Sequence, residues 1–526
     1  MRQIYFFLSI FFLITFFLIP CIGNITDPRH WTKAFSFGFF LLGIFAIYKT
    51  MSARSLTISE AVIVGFRKEM AFLFCLFSTL CFLYIYTLFQ HLHSFFLVDY
   101  DFLAIGEILN NSIKGKFFIT HHYGSNSSGN YLSHHFSPSI LLLSPFILLS
   151  KFRLGYAYGL LFYTIVSMSL ISILLLRRNV KGSSFYLSMI LIAINLPLHR
   201  LFFSYHFELL TVFFFLLFFV GLEFNKTYIS ILSILFLLLL KEDMAIYVFC
   251  LGMSFALQRN WRYAIFLTTI SILYFFFVPS FFQRSLDSST HVDWLQDWSK
   301  WGKSYSEIVF NVLANPLKVL DSIFLKWKVL REFLFAFSPL ILLTPSLILV
   351  SLPIFILHFI SDRIWYNSLY NYYSYTIVSF FILSFLFSIV RLTQSKFKDY
   401  TSAILLVSIS LSLYSSSGDK FFPYARINTD IERVSDVQRV IESIPSGKTV
   451  ATQFDLGAFI PKANPLYPLH EKNLDKDYLF IDSSKGISPY VDKQRIEKMI
   501  ETVTSNQSYA LLLEKNGIKL YRRIKE

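Results

Sequence analysis

Residues 91–138 read HLHSFFLVDYDFLAIGEILNNSIKGKFFITHHYGSNSSGNYLSHHFSP. Apolar runs of helical length flank this stretch. It nevertheless holds two closely spaced acids, Asp99 and Asp101, and six of the twelve histidines: His91, His93, His121, His122, His134 and His135. A polar stretch between hydrocarbon-length runs reads as a long loop at one membrane face. The fold is settled by that contrast, and any function has to use the polar groups held beside the bilayer.

Outward from the loop, the composition agrees. Of 526 residues, 55% are hydrophobic and 15% charged, with 62 Phe and 30 Tyr. This excludes a soluble globular protein and indicates a polytopic membrane protein. The net charge of +14 fits basic cytoplasmic loops and does not call for nucleic acid as a partner. Cys21, Cys75, Cys81 and Cys250 all sit in apolar runs and read as small buried hydrophobes. The N-terminal MRQIYFFLSIFFLITFFLIPCIGN reads as a retained helix, since its apolar stretch is long for a signal peptide.

Thirteen spans are expected near 4–22, 34–49, 69–90, 156–176, 183–197, 207–223, 227–240, 243–258, 262–282, 333–344, 346–359, 373–391 and 400–415. With the N-terminus inside, the inner loops collect Lys49, Arg54, Arg67 and Lys68; Arg177, Arg178 and Lys181; Lys226; Arg259 and Arg262; and Arg391, Lys396 and Lys398. The short outer loops hold few basic residues, as the positive-inside rule requires. Residues 138–150, PSILLLSPFILLS, are short and carry Pro145. A crossing there would put Arg177 and Arg178 outside, so they read as an interfacial or re-entrant helix. A second outer loop, 284–332, has four of the seven tryptophans and amphipathic spacing in EIVFNVL and LKVLDSIFLKW. It reads as helices lying on the membrane.

The chain therefore divides into extra N-terminal helices (1–66), a transmembrane core (67–415) with outer loops 91–155 and 284–332, and a soluble C-terminal segment (416–526). In the last, DIERVSDVQRVIESI and PYVDKQRIEKMIETV read as helices, and KTVATQ, DYLFIDS, YALLLEK and IKLYRRI as strands. The expected fold is all-α and polytopic, with a small extracytoplasmic α/β domain.

The candidate chemistry lies at the outer face. Asp99 and Asp101 would share one face of an extended segment and diverge in a helix. As a pair they suit deprotonating a hydroxyl or holding Mg²⁺ or Mn²⁺; alternatively, Asp101 only caps a helix. His135 precedes a helix begun at Ser137–Pro138, a setting that suits a phosphate. His206 and Glu208 enter an apolar span from its outer end, where ionisable groups are costly. Lys241, Glu242 and Asp243 either break a hairpin or bind an anion. Arg200 and Arg363 are further outer cations able to offset a departing phosphate. The aromatic run SDRIWYNSLYNYYSYT (361–376) reads as an interfacial belt, with stacking on a sugar face as the other reading.

These stretches, in order, resemble the domain-of-unknown-function family 2079 over roughly residues 85–480. That family runs tyrosine–aspartate–leucine–glycine, then a second aspartate and a glutamine. Here YDFLAIGE keeps Asp101, with Gly106 at the second aspartate and Glu107 at the glutamine. The histidine–phenylalanine–serine–proline motif is intact at His135–Pro138. FSYHFE keeps His206 and Glu208 but has Ser204 and Phe207 substituted, and Lys241–Asp243 is intact. A late alanine-x-glutamine element resembles ATQFDLGAFIP. The family is similar to the GT-C membrane glycosyltransferases. The resemblance implies a bacterial inner-membrane enzyme moving a sugar from a polyprenyl-phosphate donor to an acceptor outside. Asp101, with Asp99, would be base or cation ligand, and His135, His206 and Lys241 would receive the phosphate. The competing readings are a transporter or lipid-handling protein, which would need ionisable groups within its spans, and a non-catalytic membrane scaffold.

Overall fold

The computed structural model describes residues 60–95, 100–122, 129–286, 297–363, 366, 372–415, 431–483, 493–505 and 508–524. The spans expected at 4–22 and 34–49, the acid Asp99 and the linker at 416–430 lie outside the described residues.

Helices dominate the described residues between 60 and 415. Helix α1 (Glu60–His93) leads to α2 (Tyr100–Ser112) in the loop. A 3-10 turn at Tyr131–Ser133 and another at Pro138–Leu143 precede the short α3 (Ser144–Ile147). Then come α4 (Gly155–Arg177), α5 (Gly182–Ala193), α6 (Leu196–Phe203), α7 (Leu210–Glu223), α8 (Thr227–Leu238), α9 (Met244–Leu257) and α10 (Trp261–Leu286). The second loop folds into α11 (Tyr305–Ala314) and α12 (Pro316–Leu325). Helices α13 (Trp327–Phe337), α14 (Pro345–Ile360), α15 (Tyr375–Thr393) and α16 (Thr401–Ser415) complete the bundle.

Among the described residues, three helices are long and apolar enough to cross a membrane: Lys68–His93, Gly155–Arg177 and Trp261–Gln283. The number rises to five if α5 with α6, bent by 43°, and residues 306–325, bent by 91°, each count as one span. This corrects the expectation of about thirteen. Helices such as α8, with 12 residues, and α9, with 14, extend only about 18–21 Å at 1.5 Å per residue, short of the ~30 Å hydrocarbon core. Tight turns around left-handed Asn179, Asn225 and Arg259 separate neighbouring rods at loops that the sequence itself marks. The stretch at 138–150 forms the expected short apolar element and hydrogen-bonds the end of α8, with Ser139 N donating to Leu239 O (2.9 Å) and Ser139 Oγ to Phe236 O (2.7 Å).

The polar turns sort to two ends. At one, Gly182 N donates to Glu69 Oε1 (3.1 Å), and Arg178 pairs with Glu223 (2.6 Å). At the other, the end of α1 meets the chain after α6, with His91 Nδ1 and Tyr205 Oη 2.7 Å apart.

The C-terminal unit has helices α17 (Ile431–Glu442), α18 (Phe454–Gly457) and α19 (Lys493–Ser505). Its strands are β1 (Val450–Thr452), β2 (Leu466–Pro468), β3 (Tyr478–Asp482), β4 (Tyr509–Lys515) and β5 (Ile518–Arg523). The sheet order is β2-β1-β3-β5-β4. Strand β1 is parallel to β2 and β3, while β5 is antiparallel to β3 and β4. Four strands match the sequence expectation; β2 is too short and proline-flanked to show a period.

This unit docks on the loop. The fully buried Arg153 donates to the carbonyls of Ile460 (3.1 Å), Pro461 (3.4 Å) and Asn464 (2.6 Å). Asn110 Nδ2 donates to Lys462 O (3.2 Å). Gly106 lets α2 approach, since a Cβ there would lie 2.8 Å from Arg153 Cβ and 2.9 Å from its carbonyl oxygen. A side chain does not fit, which accounts for glycine where the family pattern has an aspartate.

Candidate active site

Asp101 lies in the first turn of α2, so its carboxylate faces the positive end of the helix dipole. Asp101 is thus in a helix, while Asp99 lies outside the described residues. Phe102, Leu103 and Ile105 are buried and clamp α2 in place, leaving Asp101 half-buried with a side-chain exposure of 32%.

Across from it, the chain turns sharply after α6. Tyr205 takes a left-handed conformation (φ 57°), which costs a non-glycine residue about 1–2 kcal/mol. Its phenol meets His91, and its carbonyl accepts from Tyr156 Oη (2.8 Å). The turn is over-determined, and it aims His206 at Asp101. His206 Nδ1 lies 3.9 Å from Asp101 Oδ2 and 3.6 Å from Glu208 Oε2. Glu208 sits in a 3-10 turn at Phe207–Leu209, ahead of α7, and accepts from Lys241 Nζ at 2.9 Å. His206, Glu208 and Lys241 are all buried.

The turn between α8 and α9 supplies three charges. Burial alone would raise the Glu208 carboxyl, but Lys241 and His206 outweigh it and hold it well below the carboxylate range. Burial would lower Lys241; Glu208, Asp243 and Glu242 prevail and keep its ammonium charged. Glu242 accepts from the Phe136 amide (3.1 Å) and lies 2.9 Å from His135 Nδ1, a contact that pulls its carboxyl down against burial. Asp243 differs. Burial pushes it up to about 6, even though Lys241 and a 2.6 Å hydrogen bond from Tyr375 Oη act the other way.

The separated motifs thus meet. Asp101, His206, Glu208 and Lys241 form one row of contacts, with Glu242 and Asp243 on the Lys241 turn and His135 reaching it through Glu242. Arg363 lies at the edge, its Nη1 donating to Tyr373 Oη (2.7 Å) and its Nε 3.2 Å from Asp297. It already has an anionic partner. Arg200 lies in the last turn of α6, half-buried, six residues before His206.

Sequence reasoning missed two tyrosines. Tyr375 closes the Asp243 side and carries Lys241 Nζ 5.3 Å from its ring centre. Tyr131 is buried, and after burial itself Asp101, Glu208 and Glu242 are what raise its phenol. Only the aromatic run at 361–376 hinted at Tyr375, and nothing marked Tyr131.

The other loop histidines have separate tasks. Glu107 is buried and accepts from Thr120 Oγ1 (2.8 Å) and the His121 amide (2.8 Å), with His121 Nδ1 and His122 Nδ1 at 2.7 and 3.0 Å. Burial would raise this carboxyl; the two imidazoles hold it far below its usual range. His93 Nδ1 lies 2.8 Å from Phe89 O. Among the described residues, no group of three or more His, Cys, Asp or Glu gathers as a metal ion would need.

The model of a family described as predicted membrane protein (DUF2079) matches residues 91–520, so the chain belongs to that family. None of the curated proteins and none of the solved structures matches the chain.

Proposed function

We propose that this member of the predicted membrane protein family DUF2079 is a membrane glycosyltransferase. Its donor is a polyprenyl-phosphate-linked sugar, and transfer takes place at the face where the Asp101 loop and the α/β domain meet. The likeness of the sequence motifs to the GT-C enzymes supports this reading. The observation that carries it is the graded burial across one row: Asp101 keeps 32% exposure, while His206, Glu208 and Lys241 behind it keep 3%, 3% and 9%. A general base must reach both solvent and acceptor, whereas the groups that orient it are best locked away.

In the proposed step, an acceptor hydroxyl oxygen attacks the anomeric carbon. Asp101 takes the hydroxyl proton, and the sugar–phosphate C–O bond breaks with its electron pair leaving on the lipid phosphate. His206 orients Asp101 and is held by Glu208. The phosphate leaves towards His135 and the turn that carries the Lys241 ammonium, a cation it would share with Glu208. A membrane setting suits a donor whose tail stays in lipid while its sugar reaches water. For a divalent cation, the described residues of the row offer Asp101 and His206, 3.9 Å apart, and no step here is routed through one. Placement in the bacterial inner membrane, with the C-terminal domain outside the cytoplasm, belongs to the same proposal and is supported by the sorting of basic loops.

The test offers purified protein a panel of polyprenyl-phosphate sugars and follows donor loss and product. Wild-type protein should consume a donor, and Asp101→Asn should lower the rate about 10²–10⁴-fold without changing thermal stability. No turnover with any donor, or full turnover by Asp101→Asn, overturns the proposal.

A further inference from the structure

Away from the acid–histidine site, lysines crowd where α2 ends against the C-terminal unit. Lys114 Nζ donates to Lys462 O (3.4 Å), the Lys462 amide donates to Lys151 O (3.1 Å), and Lys462 Nζ donates to Ile147 O (2.6 Å). Lys116 lies across the turn made by left-handed Gly115. No described carboxylate pairs with any of these four lysines. Below them the buried Arg153 guanidinium donates to backbone carbonyls and adds its charge to theirs. The crowding shows in their acidity. Burial, then Arg153 and Lys116, lowers the Lys114 ammonium; burial, then Lys114 and Arg153, lowers that of Lys462.

Three apolar side chains stand exposed in the same place. Ile113 and Phe117 flank Lys114 and Lys116, and Leu148 follows Ile147; Phe117 is 57% and Leu148 68% exposed. Leu148 continues the short apolar element from Pro138. One residue before the end of that element, Phe146 packs its ring on Phe162 and Tyr163 of the spanning helix α4, at 5.4 and 6.2 Å. Gly155, the first residue of α4, lies against the Phe146–Ile147 backbone, so the patch sits near one end of a helix long and apolar enough to span a membrane.

We propose that Lys114, Lys116, Lys151 and Lys462 dock on an anionic phospholipid headgroup layer, with Ile113, Phe117 and Leu148 entering the apolar boundary beside it. Ammonium groups with no described carboxylate partner, on a surface that also exposes aromatic and aliphatic side chains, match phosphate above hydrocarbon. Such a contact seats the junction between α2 and the α/β domain on the membrane and fixes the height at which Asp101 meets a lipid substrate.

The test uses the full chain in neutral detergent, titrated separately with short-chain phosphatidylglycerol, phosphatidylcholine and inorganic phosphate. Retained lipid is counted by native mass spectrometry and the unfolding midpoint is followed in parallel. Phosphatidylglycerol should be retained in preference to phosphatidylcholine, and the preference should shrink as salt rises. Lys114→Gln, Lys116→Gln and Lys151→Gln should each weaken it about fivefold, the equivalent of ~1 kcal/mol per lysine at an anionic surface. Phe117→Ser with Leu148→Ser should weaken both lipids alike. Equal retention of the two lipids, or an unchanged preference in the triple lysine variant, refutes the proposal. Stabilisation by inorganic phosphate equal to that by phosphatidylglycerol also refutes it and assigns the patch to a free anion. None of these readouts uses turnover, so the result stands apart from the transferase reading.

Discussion

Lys241→Met removes the cation from a buried pair whose Nζ and Oε1 are 2.9 Å apart. The exposures of 9% and 3% leave little solvent to compensate a stranded Glu208. Breaking a buried pair from one side costs about 3–5 kcal/mol, whereas replacing both partners by neutral groups is often far milder. Lys241→Met and Glu208→Gln should each lose about 3–5 kcal/mol. The double variant should lose no more than one single, giving a coupling of at least about 3 kcal/mol. The assay is unfolding in mixed micelles at pH 7, with all four proteins compared. It should be repeated at low pH. The Glu208 carboxyl lies below its ordinary 4.5 in the folded state, so its contribution is present above that pH and disappears as pH falls through the lower folded value. The gap between wild type and Glu208→Gln should therefore close in acid. Additive single effects, or a gap that does not narrow, would refute the buried-pair reasoning.

Asp243→Asn should remove a stability loss that wild type suffers between about pH 4 and 6. Its carboxyl rises from 3.8 to about 6 on folding, so the folded state holds the proton longer and stability falls as pH climbs through that window, by at most about 3 kcal/mol; unfolding at pH 4 and pH 7 measures it. Gly106→Asp, which restores the family pattern, should destabilise by more than about 3 kcal/mol, because its Cβ would press on the Arg153 backbone and its carboxylate would be buried. Expression and thermal unfolding would show this. Arg153→Met should loosen the C-terminal unit by about 2–4 kcal/mol, since the buried carbonyls of Ile460 and Asn464 lose their donor. Faster amide exchange over 459–464 is the expected sign, and unchanged exchange would mean that the apolar contacts alone hold the unit.

The row from Asp101 to Lys241 was legible in the sequence as a set of residue types out of place. Charged side chains at the ends of apolar runs stand out because hydrocarbon tolerates them so poorly. The same logic located the C-terminal sheet, where periodic, charged segments succeed long apolar ones. It overcounted the spans, because hydropathy marks apolar segments, while crossing a bilayer needs about 20 unbroken helical residues, and helices such as α8 and α9 have 12 and 14. It singled out His135 among the loop histidines but could not assign partners to the rest.

Sequence by itself therefore determined a membrane protein, a polar loop beside Asp101 and the identity of the charged motifs, because each follows from local hydrophobicity and local charge. Only the tertiary structure decided their partners. It gave Lys241 to Glu208, His135 to Glu242, and His121 and His122 to Glu107. It brought in Tyr131 and Tyr375, and it filled the space beside Gly106 with Arg153. Pairing depends on how helices distant in the chain pack at their ends, and no spacing along the chain encodes that distance.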